Sequence, residues 1–134
     1  MIDVEQEVFD AVSQMLNSKY PDIHIHNEMV SAPPSFPCVT IEEKDNAVNE
    51  NTITGNREEN YNDLLYEINV YSNLLSGKKD QCKSILTDVD QTMHTLGFTR
   101  TLFGSVLNED DLSIYKMTSQ YTATISKNKT IFKK

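Results

Sequence analysis

Residues 115–125 alternate almost without a break. Tyr115, Met117, Tyr121, Ala123 and Ile125 fall on one side of an extended chain, and Lys116, Thr118, Gln120, Thr122 and Thr124 on the other. Side chains of a strand point alternately to opposite faces, so this run has one face for a core and one for water or a partner. Such a strand needs neighbours to pair with and an apolar layer to cover its buried face. The rest of the chain supplies both. Residues 78–96 carry Cys82, Ile85, Leu86, Val89, Met93 and Leu96 at helical spacing, and Gly97 follows where a helix ends. Residues 3–18 carry Val4, Val8, Val12 and Met15 at the same period, with Phe9 and Leu16 widening the stripe. Asp3 reads as the N-cap, Glu5 and Glu7 suit the positive end of the helix dipole, and Pro21 closes the segment.

Three further segments read as strands. In residues 23–30, Ile23 and Ile25 alternate with His24 and His26; in 38–44, Val39 and Ile41 alternate with Thr40 and Glu42. In 61–72, Tyr66, Ile68 and Val70 oppose Glu67, Asn69 and Tyr71. Between the first two, Pro33, Pro34 and Pro37 demand an extended connector, because proline cannot donate to a central ladder. Residues 45–60 are rich in Asn and acids and read as a long polar loop or the tip of a long hairpin. Residues 98–107 form the outgoing arm of a last hairpin, with Asn108–Asp111 as its turn. Residues 127–134 are a basic tail containing Ile131 and Phe132. The order α-β-β-β-α-β-β predicts a single α+β domain spanning 1–134: a mostly antiparallel sheet of four to five strands with two helices packed on one face. At 134 residues the chain is long enough for a core without metal or disulfides.

Charge narrows the function classes. The formal net charge is −8. Through Asp63 there are 13 acids against 3 bases, and beyond it 7 acids against 9 bases. The acidic half argues against ordinary nucleic-acid binding, which needs cations on phosphates. It fits solubility, repulsion of DNA, or contact with a basic protein patch. Cys38 and Cys82 sit in apolar patterns and read as buried thiols in a reducing compartment. No secretion signal or membrane span is visible.

No arrangement of residues demands catalysis or a cofactor. His24-x-His26 places two rings on one face of a strand, but no third metal ligand stands at diagnostic spacing, so both read as exposed. Asp88 and Asp90 are two apart on a helix, do not face each other, and read as solvated. Ser76-Gly77-Lys78-Lys79 lacks the upstream glycine and the Ser or Thr of a phosphate-binding loop. Cys82 lies on the apolar stripe and reads as core.

The run Tyr66-Glu67-Ile68-Asn69-Val70-Tyr71-Ser72-Asn73, then Ser76-Gly77-Lys78-Lys79, resembles small virion proteins of tailed phages of Gram-positive hosts. So do the helix ending Leu96-Gly97-Phe98-Thr99-Arg100 and the segment from Asp110-Asp111-Leu112 through Gln120-Tyr121-Thr122-Ala123. These are the tail terminators, also called tail completion or tail-to-head joining proteins. The resemblance covers about residues 60–126 and carries no catalytic signature. It implies a ring of identical subunits, usually a hexamer, that caps the tail tube, ends its polymerisation and meets the head connector. DNA passes through the lumen without specific binding. The implied location is the virion at the head–tail interface, with assembly in the host cytoplasm. The expected contact residues are Arg57 in the long loop, Arg100 and Phe103 in the hairpin arm, and Asp110 and Asp111 in the turn. Two other readings stay open: a head-closure or minor capsid component of the connector, and a small bacterial ligand- or metal-binding domain using the His24/His26 face.

Overall fold

The structure, a computed structural model, describes residues 2–28, 33–48, 61–107 and 111–126, and the backbone of residues 131–132. Its elements are α1 (Glu5–Lys19), β1 (His24–His26), β2 (Cys38–Val48), β3 (Tyr61–Ser72), α2 (Lys78–Leu96), β4 (Thr99–Val106), β5 (Tyr115–Ser126) and β6 (Ile131–Phe132). The strands form one mixed sheet in the order β1-β2-β3-β5-β4, and β6 adds to β5 beyond the start of β4. Two helices packed against this sheet make an α+β fold.

The helices form where the apolar stripes lie. Val8, Val12 and Leu16 of α1 are buried, as are Cys82, Ile85, Leu86, Val89 and Met93 of α2. They meet the even-numbered residues Leu64, Tyr66, Ile68 and Val70 of β3, together with Met117, Tyr121, Ala123 and Ile125 of β5. Val39 and Ile41 of β2 complete this layer, and Phe98 sets its ring edge-on to Tyr66, centroids 5.3 Å apart. The N-cap of α1 is Val4 and not Asp3; Asp3, one position earlier, accepts the Glu5 backbone N–H at 3.0 Å. Gly97 ends α2 in the left-handed region at φ 104°, where its N–H and that of Phe98 return to the last turn.

The opposite face of the sheet is polar but well bonded. Asn69 donates to Thr40 Oγ1 at 3.2 Å and accepts from Thr118 Oγ1 at 2.5 Å, linking three adjacent strands. All three residues are buried, and their mutual bonding removes the cost of burying them. Glu67 accepts from Asn69 and from Gln120, at 3.2 and 3.1 Å.

Three elements differ from expectation. β1 and β2 run parallel, with His24 opposite Cys38, so the two are not the neighbours of a hairpin. The first strand is confined to His24–His26, since Asn27 and Glu28 already bend. β2 continues through Val48, with Val48 opposite Asn62, so residues 45–48 are strand and not loop. Polarity there does not oppose pairing: Asn46 donates to the Ile2 carbonyl at 2.8 Å and accepts from Asn62 at 2.6 Å. Residues 49–60 lie outside the described ones.

Leu86 is fully buried at the centre of the α2 stripe. Replacing it with Ala removes three carbons from a close-packed site, and the expected loss is about 2–5 kcal/mol. Urea denaturation should show a lower midpoint with an unchanged slope.

Candidate functional site

β4 is an edge strand, and its chemistry is unusual for an edge. Leu102, Phe103 and Val106 are exposed at 46, 38 and 43%, and Leu107 and Leu112 beside them at 70 and 74%. Unpaired edges are normally shielded by charge, proline or a covering loop, because they template pairing with another chain. Here Val106, Leu107 and Leu112 join Ser105, Ile114 and Tyr115 around a shallow hollow of about 230 Å³. Leu74 and Leu75, between β3 and α2, add further exposed apolar surface.

A bulge organises this edge. The register passes from Arg100 opposite Tyr121 to Leu102 opposite Gln120, so Thr101 is an extra residue. The extra residue shifts the alternation by one. Arg100 and Phe103 consequently share the helix side of the sheet, the side of their partners Tyr121 and Ser119. The Arg100 guanidinium lies 5.3 Å from the Phe103 ring centroid, within cation–π range. It also lies 3.5 Å from Asp90 Oδ1, which accepts the Tyr121 hydroxyl at 3.1 Å. Burial raises the Tyr121 pKa and keeps it a donor.

The five expected contact residues therefore separate. Arg100 and Phe103 come together at the β4 edge, with Phe103 half-exposed. Asp111 serves its own turn: it accepts from the Ser113 hydroxyl at 2.6 Å and the Ser113 N–H at 2.9 Å. Those bonds, with the charge of Lys78, hold its carboxyl below the usual range. Lys78 donates to the Ser113 carbonyl at 3.0 Å, which ties the start of α2 to this turn. Arg57 and Asp110 lie outside the described residues.

Sequence reasoning missed Leu102, Val106, Leu107 and Leu112. Their signal was an apolar run at the ends of a hairpin, which reads equally well as core. It also missed the use made of Asp88 and Asp90, which are engaged and not simply solvated. Asp88 accepts Tyr20 Oη at 2.5 Å and pairs with Lys19 at 3.2 Å, tying α1 to α2. Asp90 ties α2 to the β4 edge through Arg100 and Tyr121.

A second concavity lies at the other end of the sheet. Phe9, Ser13 and Asn17 of α1 face Ile23, His24, Ile25 and His26 across a cleft of about 320 Å³. Its histidines thus line a cleft, and only His24 is largely exposed. Ser13 Oγ of α1 is buried without a hydrogen-bond partner, as is His26 Nε2, whose ring stands on the polar side of β1 with Thr40. Among the described residues, no three His, Cys, Asp or Glu side chains are grouped to hold a metal ion. Burial pushes the Cys38 and Cys82 thiols up to about 11 and about 12, which keeps both protonated at neutral pH. Among the described residues no helix is long and apolar enough to cross a membrane. No family model matches this chain, and no curated protein matches it either.

On the polar face, burial alone would raise the Glu67 pKa, but bonds from Gln120 and Asn69, with Lys44 and Lys116 nearby, bring it below its ordinary 4.5. A depressed carboxylate stabilises the fold above its ordinary pKa and loses that contribution as pH falls through the lowered value. Glu67→Gln should cost about 1–2 kcal/mol at neutral pH. The gap between wild type and variant, followed by urea denaturation, should close as the pH falls below the ordinary 4.5 and through the lowered value.

Proposed function

We propose that this chain is a structural assembly protein of a tailed-phage virion. Its subunits join into a ring that caps the tail tube, stops tube growth and forms the tail side of the head–tail joint. The observation that carries the assembly reading is the apolar β4 edge, where Leu102, Phe103 and Val106 stand exposed on a strand with one side unpaired among the described residues. An isolated monomer gains nothing from that surface, whereas a neighbour covering it gains both apolar burial and main-chain bonds. The charge-split chain supports head-to-tail joining, which needs two different patches on each subunit. The tail-terminator role itself comes from the resemblance over residues 60–126. A net charge of −8 suits a conduit that must not retain DNA.

Deleting the gene from a phage that carries it tests the role. The expected products are tailless filled heads beside tails of uncontrolled length, seen by negative-stain microscopy. Tails of normal length beside heads that leak DNA would place the chain in head closure instead.

A further inference from the structure

The two edges of the sheet differ in a complementary way. At β4, Phe103 projects on the helix side and is partly exposed, with Arg100 above its ring. At β1, a cleft opens on the same side between the strand and α1, floored by Phe9, Ile23 and Ile25. We propose that the occupant of the α1/β1 cleft is the β4 edge of a second copy of this chain, with Phe103 as the inserted side chain. This deepens the assembly reading above and rests on it.

Strand direction supports the join. β1 is parallel to β2, β2 antiparallel to β3, β3 to β5, and β5 to β4. β4 therefore runs opposite to β1. Two copies placed edge to edge with their helices on the same side bring β4 of one against β1 of the next in antiparallel pairing. The helix layers then coincide, so Phe103 arrives at the level of the cleft. His24 N–H bonds inward to Pro37, which leaves the alternate residue Ile25 to present its amide groups at the outer edge.

Charge supports the same occupant. β1 lies in the half with 13 acids against 3 bases and is flanked by exposed Asp22 and Glu28. β4 lies in the half with 7 acids against 9 bases and carries half-exposed Arg100. Like edges would bring two copies of Arg100 together, whereas unlike edges bring Arg100 to the acidic side. The partnerless Ser13 Oγ of α1 also gains a polar neighbour from the incoming strand.

The contact is heterologous, and this makes it testable by mixing. Phe103→Asp destroys the inserted edge and leaves the cleft intact. Asn17→Trp, at an exposed helix position, fills the mouth of the cleft and leaves the β4 edge intact. Circular dichroism confirms that each variant is folded, and Asn17→Arg replaces Asn17→Trp if the latter is not. Sedimentation velocity then reads mass across a concentration series. Wild type should form a closed oligomer, and each variant alone should remain a monomer. Their equimolar mixture should yield a species of twice the chain mass and nothing larger. The inference is overturned if Asn17→Trp alone still self-associates, which marks a β4–β4 contact, or if the mixture stays monomeric. It is also overturned if wild type is a monomer throughout, or if both variants assemble like wild type. An oligomer with this mixing pattern but no effect of gene deletion on tails would retain the contact and remove the terminator role. Tail defects on deletion that both variants rescue would do the reverse.

Discussion

Everything in this fold depends on the register between β3 and β5. Each strand has 12 residues, and the two pair from Tyr61–Ser126 to Ser72–Tyr115 without a slip. A slip of one residue would turn Tyr121 and Ile125 toward water and Thr118 into the apolar layer. Two opposing demands forbid it. One face must meet the stripes of α1 and α2, and the other must keep Thr40, Asn69 and Thr118 bonded to one another. Burying Asn69 is tolerable only while both neighbours stand opposite it, so the polar face fixes the register as firmly as the apolar one.

The central architecture was legible because it obeys a single period. Residues 78–96 form the predicted helix and 61–72 the predicted strand, and both repeat their pattern without interruption. The peripheral strands were harder to read because pairing there is decided by chain path. Nothing in Ile23–His26 declares that its partner will be parallel; that follows from where the Pro-rich connector delivers Cys38. The polar stretch 45–48 looks like loop by composition, yet Asn46 finds partners in Ile2 and Asn62 that lie far away in sequence or across a hairpin.

The candidate site was half legible. Arg100 and Phe103 could be singled out, but their meeting could not, since it depends on Thr101 dropping out of step with β5. A strict alternation would have put Phe103 on the polar face, away from Arg100. The exposed leucines were illegible for a different reason. Leu102 and Leu107 stand in an apolar arm that reads equally well as core, and only the sheet order reveals that β4 has no outer neighbour among the described residues. The cleft at β1 needed α1 and the sheet together, and so no local pattern announced it.

The bulges carry a consequence beyond the single chain. Thr101 interrupts β4, and Lys44 interrupts β2 between Glu43 and Asp45, so both flanks of the sheet hold one residue more than their partners. An extra residue bends its strand and sharpens the local twist. If the sheet continues from one subunit into the next, that twist is repeated at every joint. The angle per joint then decides how many subunits return to the starting point. Circumference would be written in two inserted residues of backbone, and the side chains at the contact would decide only whether the circle holds.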